Sequence, residues 1–224
     1  MEACSLTNMS DLLDLALKAH GGLDRWREVK SLDVRVSLTG ALYHLKGYPE
    51  GVPNVTVRID TRRPAVTISA EIRALPSPVM CGRPRGINSI AFISPVTRSG
   101  TTSTPFLLTR PGFELTEIEP HQENGEMWRC LRVKFPSDVP THNNFQVGGE
   151  QTFFFNEQGL LQRLDYLAVG PAAHYCFYHT NYKGIVFPTL RRVLRRLPSG
   201  PLVNGPTAVL VQIADVLLGE GDCG

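Results

Sequence analysis

The chain has 224 residues, of which 42% are hydrophobic and 20% charged, a balance typical of a globular protein with a substantial core. Its formal net charge of +2 lacks the basic excess that usually marks nucleic-acid-binding proteins, so we expect no nucleic-acid partner. Five cysteines without CxxC spacing predict neither a zinc site nor a disulfide framework, and the length favours one domain over residues 1–224.

The N-terminus reads MEACSLTNMSDLL and lacks both the basic and the apolar region of a signal peptide. No run approaches the roughly 20 apolar residues of a membrane span. We therefore expect a cytoplasmic protein that does not span a membrane.

Helices are predicted over residues 9–30. Ser10 is a plausible N-cap, Asp11 suits the positive end of the helix dipole, and the sequence HGG ends the first helix with glycine. A short second helix is predicted over 23–32, with Trp26 and Val29 on its buried side.

Strands are predicted over residues 33–67 and 104–218. In the first of them Val34, Val36 and Leu38 alternate with polar residues, and NEQG at 156–159 is typical of a hairpin turn. Strands in series without intervening helices argue against a parallel sheet. The predicted fold is α+β and mainly β: a curved antiparallel sheet or open β-barrel, wrapped around the N-terminal helix and enclosing an apolar cavity.

Residues 68–103 are rich in proline, serine, glycine and arginine without a clear period, which predicts an irregular loop or an insertion. The run LRRVLRR at 190–196 is interpreted as a strand with one solvated face, because paired arginines commonly keep strands soluble.

Several blocks resemble a family of largely uncharacterised bacterial and fungal proteins. The opening LKAHGGLDRWREVKSL (17–32) carries its AHGGLDRWR-like motif, and 104–136, 155–166 and 184–196 resemble later blocks. The resemblance implies a fold similar to the lipoprotein-carrier, LolA-like proteins, in which a curved sheet wraps a helix around an apolar cavity. It implies no reaction.

The segment AAHYCFYH, residues 172–179, concentrates candidate polar groups. Strand alternation places His174, Cys176 and Tyr178 on one face, and Tyr175, Phe177 and His179 on the other. Because the two histidines would point in opposite directions, a metal ion shared between them is not expected.

Asp165 lies in the strand before this segment. A tight connection would place Asp165 near His179, or His174 near Val169, and an Asp–His pair in an apolar cavity could perform acid–base chemistry. The alternative is a rim salt bridge, or a histidine bonded to a carbonyl. The candidate catalytic residues are Asp165, His174, Tyr175 and His179.

A second polar cluster is EIEPHQENGEMW, residues 117–128. Four carboxylates around His121 could bind a cation, but Asn124 and Gly125 indicate a turn and the charge density favours a solvated hairpin. The chain has no GxSxG elbow, P-loop or dinucleotide-binding glycine pattern, so no cofactor is predicted.

Aromatic residues distributed over many strands suggest an apolar pocket for a polyketide, terpenoid or fatty-acyl compound. The candidate substrate-binding residues are Trp128, Phe106, Phe153, Phe155, Tyr166 and Phe177.

Two hypotheses follow, with the oligomeric state and the ligand left open. The first is a cofactor-independent cyclase or isomerase of specialised metabolism that acts on an apolar small molecule. One form of this hypothesis is a pericyclic, Diels–Alder type enzyme, which holds its substrate in a reactive shape. The alternative is a non-catalytic protein that binds or carries a lipid or other hydrophobic ligand. An interaction module without a pocket is a third possibility.

Overall fold

The computed structural model describes residues 11–62, 66–69, 102–140, 147–168, 170–197, 199–200 and 202–220. Its helices are α1 (Asp11–Ala19), α2 (Leu23–Glu28) and α3 (Ala41–Leu45), with a 3-10 turn at Phe106–Thr109. The strands are β1 (Val29–Thr39), β2 (Val52–Asp60), β3 (Val66–Ser69), β4 (Glu114–Glu123), β5 (Glu126–Pro140), β6 (Val147–Phe155), β7 (Leu161–Leu167), β8 (Pro171–Tyr182), β9 (Ile185–Arg195) and β10 (Val209–Glu220).

The strands form one curved, unclosed sheet in the order β3-β2-β1-β10-β9-β8-β7-β6-β5-β4. Every pairing is antiparallel. From β4 to β10 each strand pairs with the next in the chain. β10 then pairs with β1, and β3 and β4 form the two edges of the sheet. The predicted mainly β, antiparallel fold class is confirmed.

One face of the sheet packs against α1 and α2, and we call it the inner face. On β1 it is formed by Leu32, Val34, Val36 and Leu38, which are fully buried, whereas Arg35 between them is exposed. This alternation buries every second side chain of the strand. The buried side of α1 (Leu12, Leu13, Ala16 and Leu17) joins the same apolar cluster.

The structure corrects two predicted elements. The second helix ends at Glu28 rather than continuing to residue 32, because Val29 begins β1 and its alternating pattern. Within the region 33–67, predicted as strands, β1 ends at Thr39, where Gly40 adopts a φ of 116° and the short helix α3 precedes β2. A Cβ atom at Gly40 would lie 2.7 Å from the Ala208 carbonyl oxygen, so the turn requires glycine.

The predicted irregular segment 68–103 lies almost wholly outside the described residues. None of the helices among the described residues is both long and apolar enough to cross a membrane.

Candidate functional site

The residues predicted to form a catalytic site are divided between the two faces of the sheet. Asp165 pairs with Ala173 and Arg163 pairs with Tyr175 across the β7–β8 ladder, which places all four on the outer face. His174 pairs with Leu164, a member of the inner apolar cluster. Asp165 therefore lies opposite Ala173, and the predicted proximity of Asp165 to His179 is wrong. Val169, the predicted neighbour of His174, lies outside the described residues.

Asp165 belongs to a buried charged group on the outer face. The Arg163 guanidinium donates Nε to Asp165 Oδ1 and Nη2 to Oδ2, both at 2.6 Å, and Arg196 makes a short contact with Oδ2. Arg163 also donates Nη1 to Glu123 Oε2 at 2.6 Å and lies 4.7 Å from the Phe154 ring centroid. This planar, two-pronged geometry is the strongest form of arginine–carboxylate pairing.

Tyr175 joins this group by donating its hydroxyl to Glu123 Oε1 at 2.6 Å. Burial opposes ionisation of Glu123, but the bonds from Tyr175 and Arg163 hold the pKa of its carboxyl below the ordinary value. Burial, and then the carboxylate of Glu123, raises the pKa of Tyr175. The carboxylate of Glu123 is thus held ionised by Arg163 and Tyr175 and is not a proton acceptor poised near neutral pH.

The β4–β5 hairpin was predicted to be a solvated connection, and its turn at Asn124 and Gly125 indeed has both φ angles positive. Glu123, just before the turn, is nonetheless largely buried, and His121 Nε2 lies 3.3 Å from its Oε2. We call the set of Trp128, Cys130, Phe154, Ala173 and Tyr175, with the charged residues Glu123, Arg163, Asp165 and Arg196, the outer cluster. Its charges compensate one another, which suits a structural role.

The predicted alternation of β8 fails at Tyr178. This residue has a φ of 54° and is 73% exposed, although alternation would place it on the inner face with Cys176. After it, the His179 ring lies 6.2 Å from the ring of His20 at the end of α1, and His179 Nε2 donates to the Leu161 carbonyl at 2.9 Å. His179 therefore points towards the helices. About 16 Å of extended strand separates it from His174, so the two histidines do not form a common site.

The inner face contains a fully buried arginine that sequence reasoning placed in a solvated run. Arg191 pairs with Cys176 on β8 and with Val211 on β10, and both partners belong to the inner apolar cluster. Its exposure is 0%, and its Nε, Nη1 and Nη2 atoms have no hydrogen-bond partner among the described residues. Burial lowers the pKa of this guanidinium from its ordinary value. No alternation in LRRVLRR signals this placement, because apolar and basic residues there come in pairs.

His20 is the second buried polar group on this side. Its Nδ1 donates to the Ala16 carbonyl at 2.8 Å, while Nε2 has no hydrogen-bond partner within the described part of the chain. Burial, with smaller contributions from His179 and Arg191, lowers the pKa of His20 to about 4. The ring is therefore neutral at pH 7, with a free lone pair on Nε2.

Two further polar groups lie on the inner face, in addition to His174. Burial raises the pKa of the Cys176 thiol to about 11, so it is neutral and unreactive. Gln151 pairs with Val133 on the inner side of β6, and neither atom of its buried amide has a hydrogen-bond partner among the described residues.

The predicted substrate-binding aromatics also divide between the faces. Four belong to the inner apolar cluster, namely Phe106, Phe153, Phe155 and Tyr166. Trp128 belongs to the outer cluster, and Phe177, which stacks with Tyr175 at 6.2 Å between centroids, lies beside it. Only the first four can line a common inner surface.

Two open depressions occur on the surface. One, of about 590 Å³, is lined by Gly40, Ala41, His44, Leu45, Pro206 and Thr207. The other, of about 500 Å³, lies between β4 and β6 around Phe135 and Glu150. Neither is lined by a predicted site residue. Within the described part of the chain, no three His, Cys, Asp or Glu side chains are grouped so that they could hold a metal ion.

No family model and no curated protein sequence matches the chain. It is similar to a solved LolA superfamily protein from Nitrosomonas europaea, with 9% identity, a TM-score of 0.47 and coverage of 92% of this chain and 93% of that one. It is also similar to a DUF1329 family protein from Desulfovibrio piger, with 15% identity, a TM-score of 0.45 and coverage of 95% and 92%. A third similar structure is a domain from Vibrio parahaemolyticus described as an outer membrane lipoprotein-sorting protein. It has 10% identity and a TM-score of 0.45, with coverage of 93% of this chain and 92% of that one.

The prediction of a cofactor-independent cyclase or isomerase is wrong. Within the chain itself, Asp165 and Tyr175 are engaged in the outer cluster, whereas His174 lies on the opposite face. The residues assigned to one reaction do not converge.

Proposed function

We propose that the inner face binds a hydrophobic molecule and that the protein is a non-catalytic binding or carrier protein. The observation that carries this proposal is the extent of the inner apolar cluster, which runs across the sheet from Val57 on β2 to Leu131 on β5 and includes the buried sides of α1 and α2. A continuous apolar interior of this extent is suited to an apolar ligand.

The side chains of this face favour an extended, flexible ligand. Phe153, Phe155 and Tyr166 contribute rings from adjacent strands, and Phe106 stacks on Trp26 with centroids 4.4 Å apart. Aromatic rings provide large apolar contact area, and polar groups are few among them. Such a surface can bind through burial of area without directional bonds along the whole ligand.

The proposal is tested by titrating the protein with the neutral dye N-phenylnaphthylamine, whose fluorescence rises in apolar surroundings. We expect saturable binding that a long-chain hydrocarbon alcohol displaces. The absence of saturable binding to the folded protein would overturn the proposal.

Adjacent alanines on β8 provide a matched pair of variants. Ala172 is buried on the inner face and Ala173 on the outer face, so a leucine at either position overpacks its surroundings by a comparable amount. We expect Ala172→Leu to weaken dye binding at least about 5-fold, or about 1 kcal/mol, and Ala173→Leu to leave it unchanged. Equal effects of both variants would place the dye elsewhere.

A further inference from the structure

Two arginines are buried in the described part of the chain, and their surroundings differ. Arg163 is saturated by carboxylates, since Asp165 and Glu123 accept from its Nε, Nη1 and Nη2 atoms at 2.6 Å. Arg191 is more deeply buried, yet all three of its nitrogen atoms lack a partner among the described residues. A buried charge without a counter-charge is among the least favourable arrangements in a protein interior.

The described partners of Arg191 on the neighbouring strands do not supply a negative charge. The thiol of Cys176 lies opposite it on β8, and Val211 lies opposite it on β10. Two histidines, His20 and His179, have their pKa lowered, chiefly by burial and also by the charge of Arg191. A guanidinium in such surroundings offers its planar set of N–H donors to a molecule that is not part of these strands.

The free polar atoms nearby have complementary chemistry. His20 presents an unpartnered Nε2 atom, because its Nδ1 is already bonded to the Ala16 carbonyl. A carboxylate or phosphate oxygen fits the fork of a guanidinium, and a phosphate monoester that keeps one P–OH could also donate to the imidazole lone pair. A neutral hydroxyl would leave the charge of Arg191 uncompensated.

We propose that Arg191 binds the anionic head group of an amphiphilic ligand, a fatty carboxylate or a lipid phosphate, whose apolar chain lies along the inner face. This inference rests on the proposed function and specifies its ligand class. The aromatic side chains of β6 and β7 would contact the chain, and Arg191 on β9 would fix the position of the head.

The test compares cis-parinaric acid with its methyl ester, two fluorescent probes that share a chain and differ in the charge of the head. We expect wild-type protein to bind the acid at least about 30-fold more tightly than the ester. In Arg191→Met this preference should fall to about 3-fold or less, since the apolar side chain keeps the length but not the charge.

Arg192→Met is the matched control. Arg192 is the next residue of β9, exposed on the outer face and bonded through Nε to Thr207 Oγ1 at 2.8 Å, so its loss removes the same charge from the opposite side. We expect this variant to retain the full preference for the acid. Arg191→Lys, which keeps the charge without the planar fork, should give an intermediate preference and serves if Arg191→Met does not fold.

The outcomes separate this inference from the proposed function. If acid and ester bind wild-type protein equally well, the head-group assignment is overturned while binding of an apolar molecule stands. If neither probe binds, both proposals fail. Lysophosphatidic acid is expected to displace parinaric acid, and displacement by inorganic phosphate alone would mean that a free anion is the ligand and would overturn the assignment to an amphiphile.

Discussion

Arg163 on β7 and Arg191 on β9 are buried on opposite faces of the same sheet, and only Arg163 is paired with carboxylates. On the outer face, Asp165 and Glu123 pair with the guanidinium of Arg163. With Arg196, which also contacts Asp165, the group has two positive and two negative charges. On the inner face, Arg191 adds a positive charge to an apolar surface. The first arrangement favours stability, whereas the second opposes it and is therefore a candidate for function.

Replacing Arg191 with methionine should stabilise the ligand-free protein. The substitution removes an uncompensated buried charge and leaves an apolar side chain of similar length, for which a gain of about 1–4 kcal/mol is expected. For a chain of this size each kcal/mol shifts Tm by about 2–4 °C. Thermal unfolding monitored by circular dichroism measures the shift. Arg192→Met, at the exposed neighbouring position, should change stability by no more than about 0.5 kcal/mol. A lower Tm for Arg191→Met would contradict the description of Arg191 as uncompensated.

Replacing Asp165 with asparagine should strongly destabilise the protein. Asp165 accepts from both Arg163 and Arg196, and its loss leaves these two arginines with one carboxylate, Glu123, at a cost of about 3–5 kcal/mol. Urea denaturation measures this cost. The control is Glu117→Gln, which breaks the exposed pair with Arg129 on neighbouring strands and should cost no more than about 1 kcal/mol. Similar effects of the two variants would argue against a buried charged group on the outer face.

Much of the fold was predictable from local pattern. The alternation of Val34, Val36 and Leu38 predicts a half-buried strand, and these residues are the inner side of β1. Alternation fails as a guide at Tyr178, because the positive φ of this residue depends on its particular surroundings in the sheet and turns His179 towards the helices. The site was less predictable because the burial of Arg191 is set by β8 and β10 on either side, and nothing in LRRVLRR distinguishes it from Arg192.

The outer cluster illustrates the same limit over longer distances. Glu123 was assigned to a solvated hairpin, which is what a stretch of carboxylates beside an Asn-Gly turn ordinarily indicates. Its partners Arg163 and Tyr175 lie 40 and 52 residues further along the chain. Only the order of β4 to β8 in the sheet brings these groups together, and sequence pattern does not reveal which long side chains meet across several strands.

Acidification should destabilise the protein below pH 6.5 because of His20. The pKa of this residue is about 4 in the folded protein and 6.5 without the influence of the fold, so between these values the unfolded chain binds the additional proton. The free energy of unfolding therefore falls as pH falls through this window, by about 2 kcal/mol between pH 7 and pH 5. The lowered pKa of His179 acts in the same direction. The low pKa of Glu123 also opposes acid stability, but mainly below its ordinary value of 4.5.

Urea denaturation at pH 7 and pH 5 measures this dependence, and His20→Gln should remove most of it. The substitution keeps a polar side chain near the Ala16 carbonyl but does not titrate. An equal loss of stability in the variant and the wild type would show that His20 is not the responsible group.

A ligand on the inner face should protect Cys176 from alkylation more than Cys130. The two thiols form a matched pair, since each is 1% exposed and each has its pKa raised to about 11 by burial, but Cys176 belongs to the inner cluster and Cys130 to the outer one. With saturating cis-parinaric acid we expect the rate of N-ethylmaleimide labelling at Cys176, relative to that at Cys130, to fall at least about 5-fold, because bound ligand opposes local opening of the inner face.

Peptide mapping by mass spectrometry separates these thiols from the three other cysteines of the chain. Because general stabilisation by the ligand slows labelling of both thiols alike, it does not change the ratio of the two rates. Labelling rates that do not change in low urea show that labelling occurs through local opening and not through global unfolding. A ratio that stays constant under those conditions would place the ligand away from Cys176, and with it away from Arg191, which faces that thiol across the β8–β9 ladder.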